Sequence, residues 1–213
     1  MEKFHLKILS FCAGGFAANT YFVSDNESKS GVIVDPAIST DDFFSHFSYP
    51  VEITAILLTH AHFDHMLTLD EWREKTKAPL CLSIREAEAL SDPQRTLFQV
   101  FFGKSKTFSS AERLLREGDT VKVGDSYLTV VEVPGHTVGS VAYIGDGIIL
   151  TGDTMFAFGD VGRTDFPTGN SEALRQSIRR LCSLDGEYAV YSGHGPKTEL
   201  SKEAALHGIV RKK

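Results

Sequence analysis

The stretch ITAILLT, residues 53–59, is an apolar run in which hydrophobic and polar side chains do not alternate. A strand with one solvent-facing side alternates between the two kinds of residue, so this run predicts a strand buried on both faces. Such a strand lies in a sheet that other elements cover on each side, because water reaches neither face. The runs GVIVD at 31–35 and EYAVYSG at 187–193 predict two more buried strands.

Helices are predicted between these strands. Ser39 and Thr40 precede an acidic turn, which predicts a capped helix over 39–47. Further helices are predicted over residues 66–76, 84–90, 171–184 and 199–210. Further strands are predicted over residues 4–9, 18–24, 80–83, 119–124, 126–135 and 140–153. Helices that lie between buried strands along the chain predict an α/β sandwich, in which helices cover the sheets. We expect residues 1–213 to form one domain.

The buried strand at 53–59 leads directly into a cluster of metal-ligand residues, in the sequence THAHFDH. His60 and His62 are two residues apart, so in an extended loop their side chains point the same way and reach one ion. Asp64 and His65 follow at the start of the predicted helix, where they can turn toward a second ion. Neutral imidazoles and carboxylates are the ligands that divalent metals such as zinc take.

Three more residues of these types each follow a predicted strand. His136 in EVPGHTVGS, Asp153 in IILTGDTMF and His194 in YAVYSGHGP each follow an apolar run, beside a glycine that lets the backbone turn. Taken singly, each is equally compatible with a hydrogen-bonded turn histidine or a helix-capping aspartate. Their recurrence at several strand ends predicts one site assembled from distant parts of the chain.

The set THAHFDH, PGHT, GDT and SGHGP, in this order and spacing, closely resembles the metallo-β-lactamase-fold hydrolases over essentially the whole chain. The resemblance implies an αββα sandwich, with two mixed sheets flanked by helices and two divalent metal ions at one edge. It matches the ligands of the first ion to His60, His62 and His136. It matches those of the second ion to Asp64, His65 and His194, and the bridging carboxylate to Asp153. Zinc is the expected metal, and iron or manganese suits the same ligands.

The loop MFAFGDVGRTDFPTGN, residues 155–170, resembles the corresponding loop of small glyoxalase II-like proteins, as does GHGP around the last histidine. This resemblance implies hydrolysis of a small thioester such as S-lactoylglutathione by a metal-bound hydroxide, with Asp64 and Asp153 as the catalytic carboxylates. We expect no helical C-terminal glutathione-binding domain, because about 19 residues follow His194. Glutathione is therefore expected to be only weakly preferred over other thiols.

The alternative is a mononuclear iron persulfide dioxygenase on the same fold, which also carries a GRTDF-like stretch. The resemblance implies that two histidines and the aspartate would hold its iron, with other positions open. Such proteins usually show Ala-His-Asp near the last histidine, where this chain has Gly193-His194-Gly195-Pro196. This difference favours the hydrolase.

Three further residues are candidates for supporting the ligands from outside. Asp35, in VDP, matches an aspartate that orients a metal histidine in related proteins, and capping of the proline turn is an equal alternative. Arg163 and Asp165 are expected to form a charge pair that shapes their loop, in preference to binding substrate. The phenylalanines of the irregular segment 91–111 are expected to be buried core, with a mobile cover over the substrate as the alternative.

Composition argues against nucleic acid and membrane as partners, and the small-molecule substrate is what the resemblance implies. The net charge is −6 and the basic residues form no dense block before Arg211-Lys212-Lys213, which argues against nucleic acid. No stretch approaches the roughly 20 apolar residues of a membrane span. The three cysteines are far apart and odd in number, and Glu2, His5 and Lys7 interrupt any signal peptide, so we expect a cytoplasmic protein. The sequence leaves the oligomeric state open.

Overall fold

The computed structural model describes residues 6–25 and 29–211, and within them the strands form two six-stranded sheets. The first sheet contains, in spatial and sequence order, β1 (Leu6–Cys12), β2 (Asn19–Asp25), β3 (Ser30–Val34), β4 (Glu52–Leu57), β5 (Leu80–Ser83) and β6 (Arg113–Leu115). The β1–β2 and β2–β3 pairs are antiparallel, and the pairs from β3 to β6 are parallel.

The second sheet is also mixed. It contains β7 (Thr120–Val123), β8 (Ser126–Glu132), β9 (Val141–Gly145), β10 (Ile148–Gly152), β11 (Ala189–Ser192) and β12 (Thr198–Glu199). Its neighbours pair antiparallel except for β10 and β11, which are parallel. Strands β8, β10 and β11 therefore run in the same direction, and their carboxyl ends reach the same edge of the sheet.

Helices cover the outer face of each sheet. They are α1 (Thr40–Ser45) and α2 (Leu69–Thr76) on the first sheet, and α4 (Ser171–Cys182) and α5 (Leu200–Leu206) on the second. The short helix α3 (Phe98–Phe102) has no buried residue and covers neither sheet. The predicted Ser39 cap of α1 is present, since its hydroxyl accepts a hydrogen bond from the Asp42 amide. In the described part of the chain, no helix is both long enough and apolar enough to cross a membrane.

Three apolar layers hold these elements together. The inner faces of the two sheets pack on each other, with Val34, Leu57 and Tyr143 among the buried side chains. A second layer, which includes Phe43 and Trp72, lies between the first sheet and helices α1 and α2, and a third lies under α4 and α5. The order helix, sheet, sheet, helix confirms the predicted αββα sandwich with two mixed sheets.

Several local predictions differ from the structure. The helix expected at 66–76 begins only at Leu69, because Asp64 and His65 lie in a separate 3₁₀ turn, Phe63–His65. The segment expected to be a helix at 84–90 is a 3₁₀ helix, Ile84–Ser91, and the segment 91–111 contains the short helix α3. Strands β6 and β12 are too short for a sequence pattern to reveal. Residues 4–5 of the first predicted strand lie outside the described residues, and the single-domain expectation stays a prediction.

Candidate metal centre

The seven predicted ligand residues come from the ends of strands that meet at one edge of the sandwich. His60, His62, Asp64 and His65 follow β4, His136 follows β8, Asp153 directly follows β10, and His194 follows β11. These strands are parallel within their own sheets, so their carboxyl ends, and the loops that leave them, converge. The structure thus brings His60 close to His194, although the two are 134 positions apart in the chain.

The first group of side chains, here called the three-histidine cluster, contains His60, His62 and His136. The Nδ1 atom of His62 lies 3.1 Å from Nε2 of His60 and 2.8 Å from Nε2 of His136. All three side chains are buried, and their ring nitrogens lie close enough to hold one ion. Three imidazole nitrogens that face one point are the donor set of a tetrahedral divalent ion with one position open.

The environment keeps these three histidines neutral. Burial, and then the surrounding histidine rings, lower the pKa of His60 well below its usual value. Burial followed by His136 lowers the pKa of His62 to about 3. The pKa of His136 is also lowered by burial, although the Asp153 carboxylate opposes this effect. Neutral imidazole is the form that binds metal, so this cluster is ready for an ion without losing protons.

The second group, here called the carboxylate cluster, contains Asp64, His65 and His194. The Asp64 Oδ2 atom lies 3.1 Å from Nε2 of His194 and 3.9 Å from Nε2 of His65. Asp153 lies between the two clusters. Its Oδ1 atom is 3.2 Å from His65 Nε2, and its Oδ2 atom is 3.6 Å from His136 Nε2 and 3.7 Å from His194 Nε2. One carboxylate therefore approaches histidines of both clusters, as a bridging ligand must.

Charge pairs dominate the carboxylate cluster. Burial lowers the pKa of His65, but Asp153, Asp35 and Asp64 outweigh burial and raise that pKa well above its usual value. Burial raises the pKa of the Asp64 and Asp153 carboxyls, but the histidines around them, His65 first, outweigh it and lower both. Both carboxylates are thus ionised at neutral pH, and in the metal-free protein His65 carries a proton.

Two buried atoms in this centre support metal binding. Within the described residues, His65 Nε2 and Asp153 Oδ1 are buried and face each other at 3.2 Å as an ion pair, without good hydrogen-bond geometry. A bound divalent ion would replace the proton between them and take both atoms as ligands. Nitrogen and carboxylate donors at these distances fit divalent zinc, iron or manganese. The centre is a metal-binding cluster of histidines and aspartates, and the donor set leaves the metal's identity open.

Outer contacts hold the ligands in position, and one of them involves a predicted residue. Asp35 Oδ2 lies 2.9 Å from Nδ1 of His65, on the side of the ring away from the carboxylate cluster. Asp35 also accepts hydrogen bonds from the backbone amide and hydroxyl of Thr59, both at 2.8 Å. A carboxylate behind a ligand histidine fixes the orientation and tautomer of its ring.

Arg163 contacts the centre in a way that the sequence did not predict. Its guanidinium forms the expected pair with Asp165, at 2.5 and 2.6 Å, and lies 3.9 Å from the ring centre of Phe166. The metal centre instead contacts the main chain of Arg163, because the carbonyl oxygen lies 2.7 Å from Nδ1 of His136. The side chain shapes the loop, and the backbone orients the histidine.

Two residues that support the ligand loops were missed from the sequence. The buried Glu86 accepts hydrogen bonds from the amides of Ala61 at 3.2 Å and Gly139 at 2.9 Å, so it links the loops that carry His60 and His136. Burial raises the pKa of Glu86. Asn19 donates to the Gly195 carbonyl at 2.9 Å and supports the His194 loop. Neither residue belongs to a recognisable motif, so no sequence signal identified them.

An open cleft of about 500 Å³ leads to the centre. The predicted ligands that line it are His62, Asp64, His136, Asp153 and His194, and its walls include several phenylalanines. The expectation that the phenylalanines of 91–111 are core holds for the buried Phe108 and is wrong for Phe101 and Phe102, which are exposed. The short helix α3 explains the difference, since it presents these two rings outward beside the cleft.

The fold and the centre define a metal-binding αββα protein. Residues 13–194 match the model of the metallo-beta-lactamase superfamily, and the chain belongs to that superfamily. The probable metallo-hydrolase YqgX of Bacillus subtilis (strain 168) is 36% identical over 195 residues, which cover 89% of this chain and 90% of the relative.

Two solved structures are similar over nearly their whole length. The BLEG-1 B3 metallo-beta-lactamase has a TM-score of 0.85 and 30% identity, covering 93% of this chain and 97% of its own. TTHA1623 in a di-iron-bound form has a TM-score of 0.79 and 31% identity, covering 93% of this chain and 98% of its own. The neighbours thus include a β-lactamase and a protein that binds two irons.

Proposed function

We propose that this chain is a hydrolase of small thioesters, such as S-lactoylglutathione, that depends on two divalent metal ions. The observation that carries the proposal is the convergence of two ligand clusters around Asp153 at the floor of an open cleft. The probable metallo-hydrolase relative supports the hydrolytic class. When bound, the metal ions would lower the pKa of a coordinated water and polarise the substrate carbonyl.

The chain's own residues have separate tasks in this proposal. His60, His62 and His136 would hold one ion, and Asp64, His65 and His194 would hold the other, with Asp153 contributing to both. His60 and His65 are buried behind the cleft, while Asp64 and His194 line it and face the substrate. Asp35 and the Arg163 carbonyl hold the histidine rings in the required orientation.

The state of the cleft carboxylates favours a thioester. Asp64 and Asp153 have lowered pKa values, so neither carries a proton to give to a leaving group at neutral pH. A thiolate leaves without such assistance, whereas an amine does not. In the overall reaction the oxygen of water bonds to the acyl carbon and the carbon–sulfur bond breaks. The thiol leaves with one proton of the water, the acid is released as its carboxylate, and the second proton passes to the solvent.

The test is thiol release by purified protein loaded with zinc, iron or manganese. S-Lactoylglutathione and a panel of small thioesters should be hydrolysed without an added organic cofactor, and a chelator should abolish the activity. A β-lactam is assayed in parallel because one of the similar structures is a β-lactamase. Hydrolysis of the lactam together with inert thioesters, or inactivity toward both, would overturn the proposal.

Iron-dependent persulfide oxidation is the second candidate. His60, His65 and Asp153 form a set of two histidines and one carboxylate with close donor atoms, the composition of mononuclear iron oxygenase sites. The similarity to a di-iron-bound structure also supports iron at this centre. Oxygen uptake with glutathione persulfide by the iron-loaded protein, without thioester hydrolysis, would select this function.

We also propose a small-molecule substrate and a cytoplasmic location. The cysteines Cys12, Cys81 and Cys182 are free thiols, which is typical of a reducing compartment. The net charge of −6 disfavours nucleic acid. Fractionation of the native cell and a filter-binding assay with nucleic acid test these two proposals.

A further inference from the structure

Four phenylalanine rings form a continuous surface from solvent to the metal centre. This surface, here called the aromatic wall, contains Phe16, Phe63, Phe101 and Phe166, which all line the cleft. Phe101 lies 6.2 Å from Phe16, 5.1 Å from Phe63 and 6.0 Å from Phe166, measured between ring centres. Phe166 in turn lies 5.9 Å from the ring of His62. An apolar group in contact with this wall therefore lies beside the three-histidine cluster.

The wall is assembled from separate segments and is exposed at its outer end. Phe16 comes from the loop between β1 and β2, Phe101 from α3, and Phe166 from the loop after β10. Phe16 is 72% exposed and Phe101 is 46% exposed, so the core does not account for either ring. Apolar side chains gathered in a cleft, with a few polar groups at its floor, are the usual composition of a small-molecule site.

The walls of the cleft offer no free cation to an anionic substrate. Of the described residues that line it, Arg163 alone is a lysine or arginine, and its guanidinium is already paired with Asp165 and stacked on Phe166. Asp64 and Asp153 lie at the floor, where the proposed metal ions would neutralise their charge. The glutathione moiety carries two carboxylates and one ammonium group. Its carboxylates would therefore meet no free cation along the wall, and desolvating a charge without a partner is costly.

We propose that the aromatic wall binds the acyl group of the substrate, and that this group is an apolar alkyl chain or aromatic ring. This inference rests on the proposed thioester hydrolysis and makes the substrate class specific. Each methylene that contacts the wall should raise kcat/KM by about fourfold, because apolar burial gains about 0.8 kcal/mol per methylene. S-Lactoylglutathione, with its short hydroxylated acyl group, should be hydrolysed with a lower kcat/KM than thioesters of longer apolar acids.

The experiment varies the acyl group on one small thiol. Acetyl, lactoyl, butanoyl, hexanoyl and benzoyl thioesters of N-acetylcysteamine are compared in kcat/KM, and lactoyl is also offered on glutathione. The kcat/KM of the hexanoyl thioester should exceed that of the acetyl thioester by on the order of 10²-fold. This estimate takes about fourfold for each of four methylenes and allows for incomplete contact with the wall. A flat acyl series, or a tenfold preference for either lactoyl thioester over hexanoyl, would overturn the inference while leaving thioester hydrolysis intact.

Variants of the wall separate its role from general stability. Phe16→Ala and Phe101→Ala should each lower kcat/KM for the hexanoyl thioester by about tenfold and change the acetyl value less than twofold. Phe158→Ala is the matched control, since Phe158 is 77% exposed and does not line the cleft. Equal losses on both substrates, or the same effect in the control, would contradict a role in acyl binding.

A binding measurement checks the wall independently of turnover. The non-hydrolysable ketone analogue of the hexanoyl thioester, with a methylene in place of sulfur, is titrated into metal-loaded and metal-free protein by calorimetry. Wild-type protein should bind it at least tenfold tighter than the acetyl analogue, with a negative heat-capacity change, and Phe101→Ala should lose this preference. Tight binding without hydrolysis of any thioester would contradict the proposed function alone, and equal affinities would overturn the inference.

Discussion

The three-histidine cluster and the carboxylate cluster both approach Asp153, but their side chains differ in burial and in charge. In the three-histidine cluster every ligand is buried, and burial keeps the imidazoles neutral. In the carboxylate cluster the side chains of Asp64 and His194 are 17% and 36% exposed, and carboxylates surround His65. The first cluster therefore offers only uncharged ligands, whereas in the second an ion must displace the proton of His65.

The outer partners of the histidines follow the same division. Nδ1 of His136 meets a neutral backbone carbonyl of Arg163, whereas Nδ1 of His65 meets the charged carboxylate of Asp35. A charged partner raises the basicity of the ring and favours its protonated form when no metal is bound. Ion binding at the carboxylate cluster should release the proton of His65, so its affinity should depend more steeply on pH.

Asp153→Ala should have the largest effect, because Asp153 approaches histidines of both clusters. We expect fewer than one tightly bound ion per chain and a loss of thioester hydrolysis of roughly 10³-fold, about 4 kcal/mol in the barrier. Metal analysis and kcat/KM measure the two effects. Retention of two ions would contradict the bridging assignment.

His136→Ala and His194→Ala test whether the clusters act separately. Each change removes one nitrogen from one cluster, so each variant should keep about one ion per chain and lose activity on the order of 10²-fold. X-ray absorption of the cobalt-substituted proteins identifies the retained ion. It should show mainly nitrogen ligands in His194→Ala and more oxygen ligands in His136→Ala. Loss of both ions from either variant would mean that the clusters form one indivisible site.

Asp35→Asn should weaken the carboxylate cluster selectively, because it removes the charge behind His65 and keeps the size of the side chain. We expect the affinity for the second ion to fall 10- to 100-fold, the usual effect of losing an outer carboxylate. Competition with a chelator measures the two affinities. An equal loss at both clusters would show that Asp35 acts on the whole site.

Glu86→Gln is the matched change on the other cluster. The amide can accept from only one of the Ala61 and Gly139 amides, so the free energy of unfolding should fall by about 1–3 kcal/mol. The affinity of the carboxylate cluster should stay unchanged. If this variant bound the second ion more weakly, Glu86 and Asp35 would not support separate clusters.

The smallest predicted effect is a pH dependence of the metal-free protein. The pKa of His62 is lowered to about 3 in the folded protein. Below pH 6.5, His62 is therefore protonated in the unfolded chain and still neutral in the folded protein. Stability should therefore fall as the pH drops, by roughly 2 kcal/mol from His62 between pH 7 and pH 5.

His65 has the opposite sign in the same experiment. Its raised pKa contributes stability that is complete below pH 6.5 and is lost as the pH rises through that raised value. Urea unfolding across this pH range, with wild type compared to His62→Gln, measures the contribution of His62. If the free energy of unfolding rose as the pH fell in the wild type but not in His62→Gln, the assignment of a neutral His62 would be contradicted.

The architecture was largely predictable from local patterns. The unalternating run before Thr59 predicted a buried strand, and the resemblance based on THAHFDH, PGHT, GDT and SGHGP predicted the αββα sandwich. Burial on both faces leaves a periodicity signature in consecutive residues, so a sequence pattern reveals it. The ligand-type residues were also visible, because their chemistry and their position after strand ends are properties of short segments.

Only the tertiary structure determined which groups meet one another. Glu86 links two ligand loops, the backbone of Arg163 contacts His136, and Phe101 faces the cleft while Phe108 is buried. These contacts depend on the ends of distant strands converging, and on the turn of a five-residue helix, which leave no periodic trace in the chain. Spacing along a sequence identifies candidate ligands, whereas the packing of two sheets decides their distances, their protonation and the surface that a substrate meets.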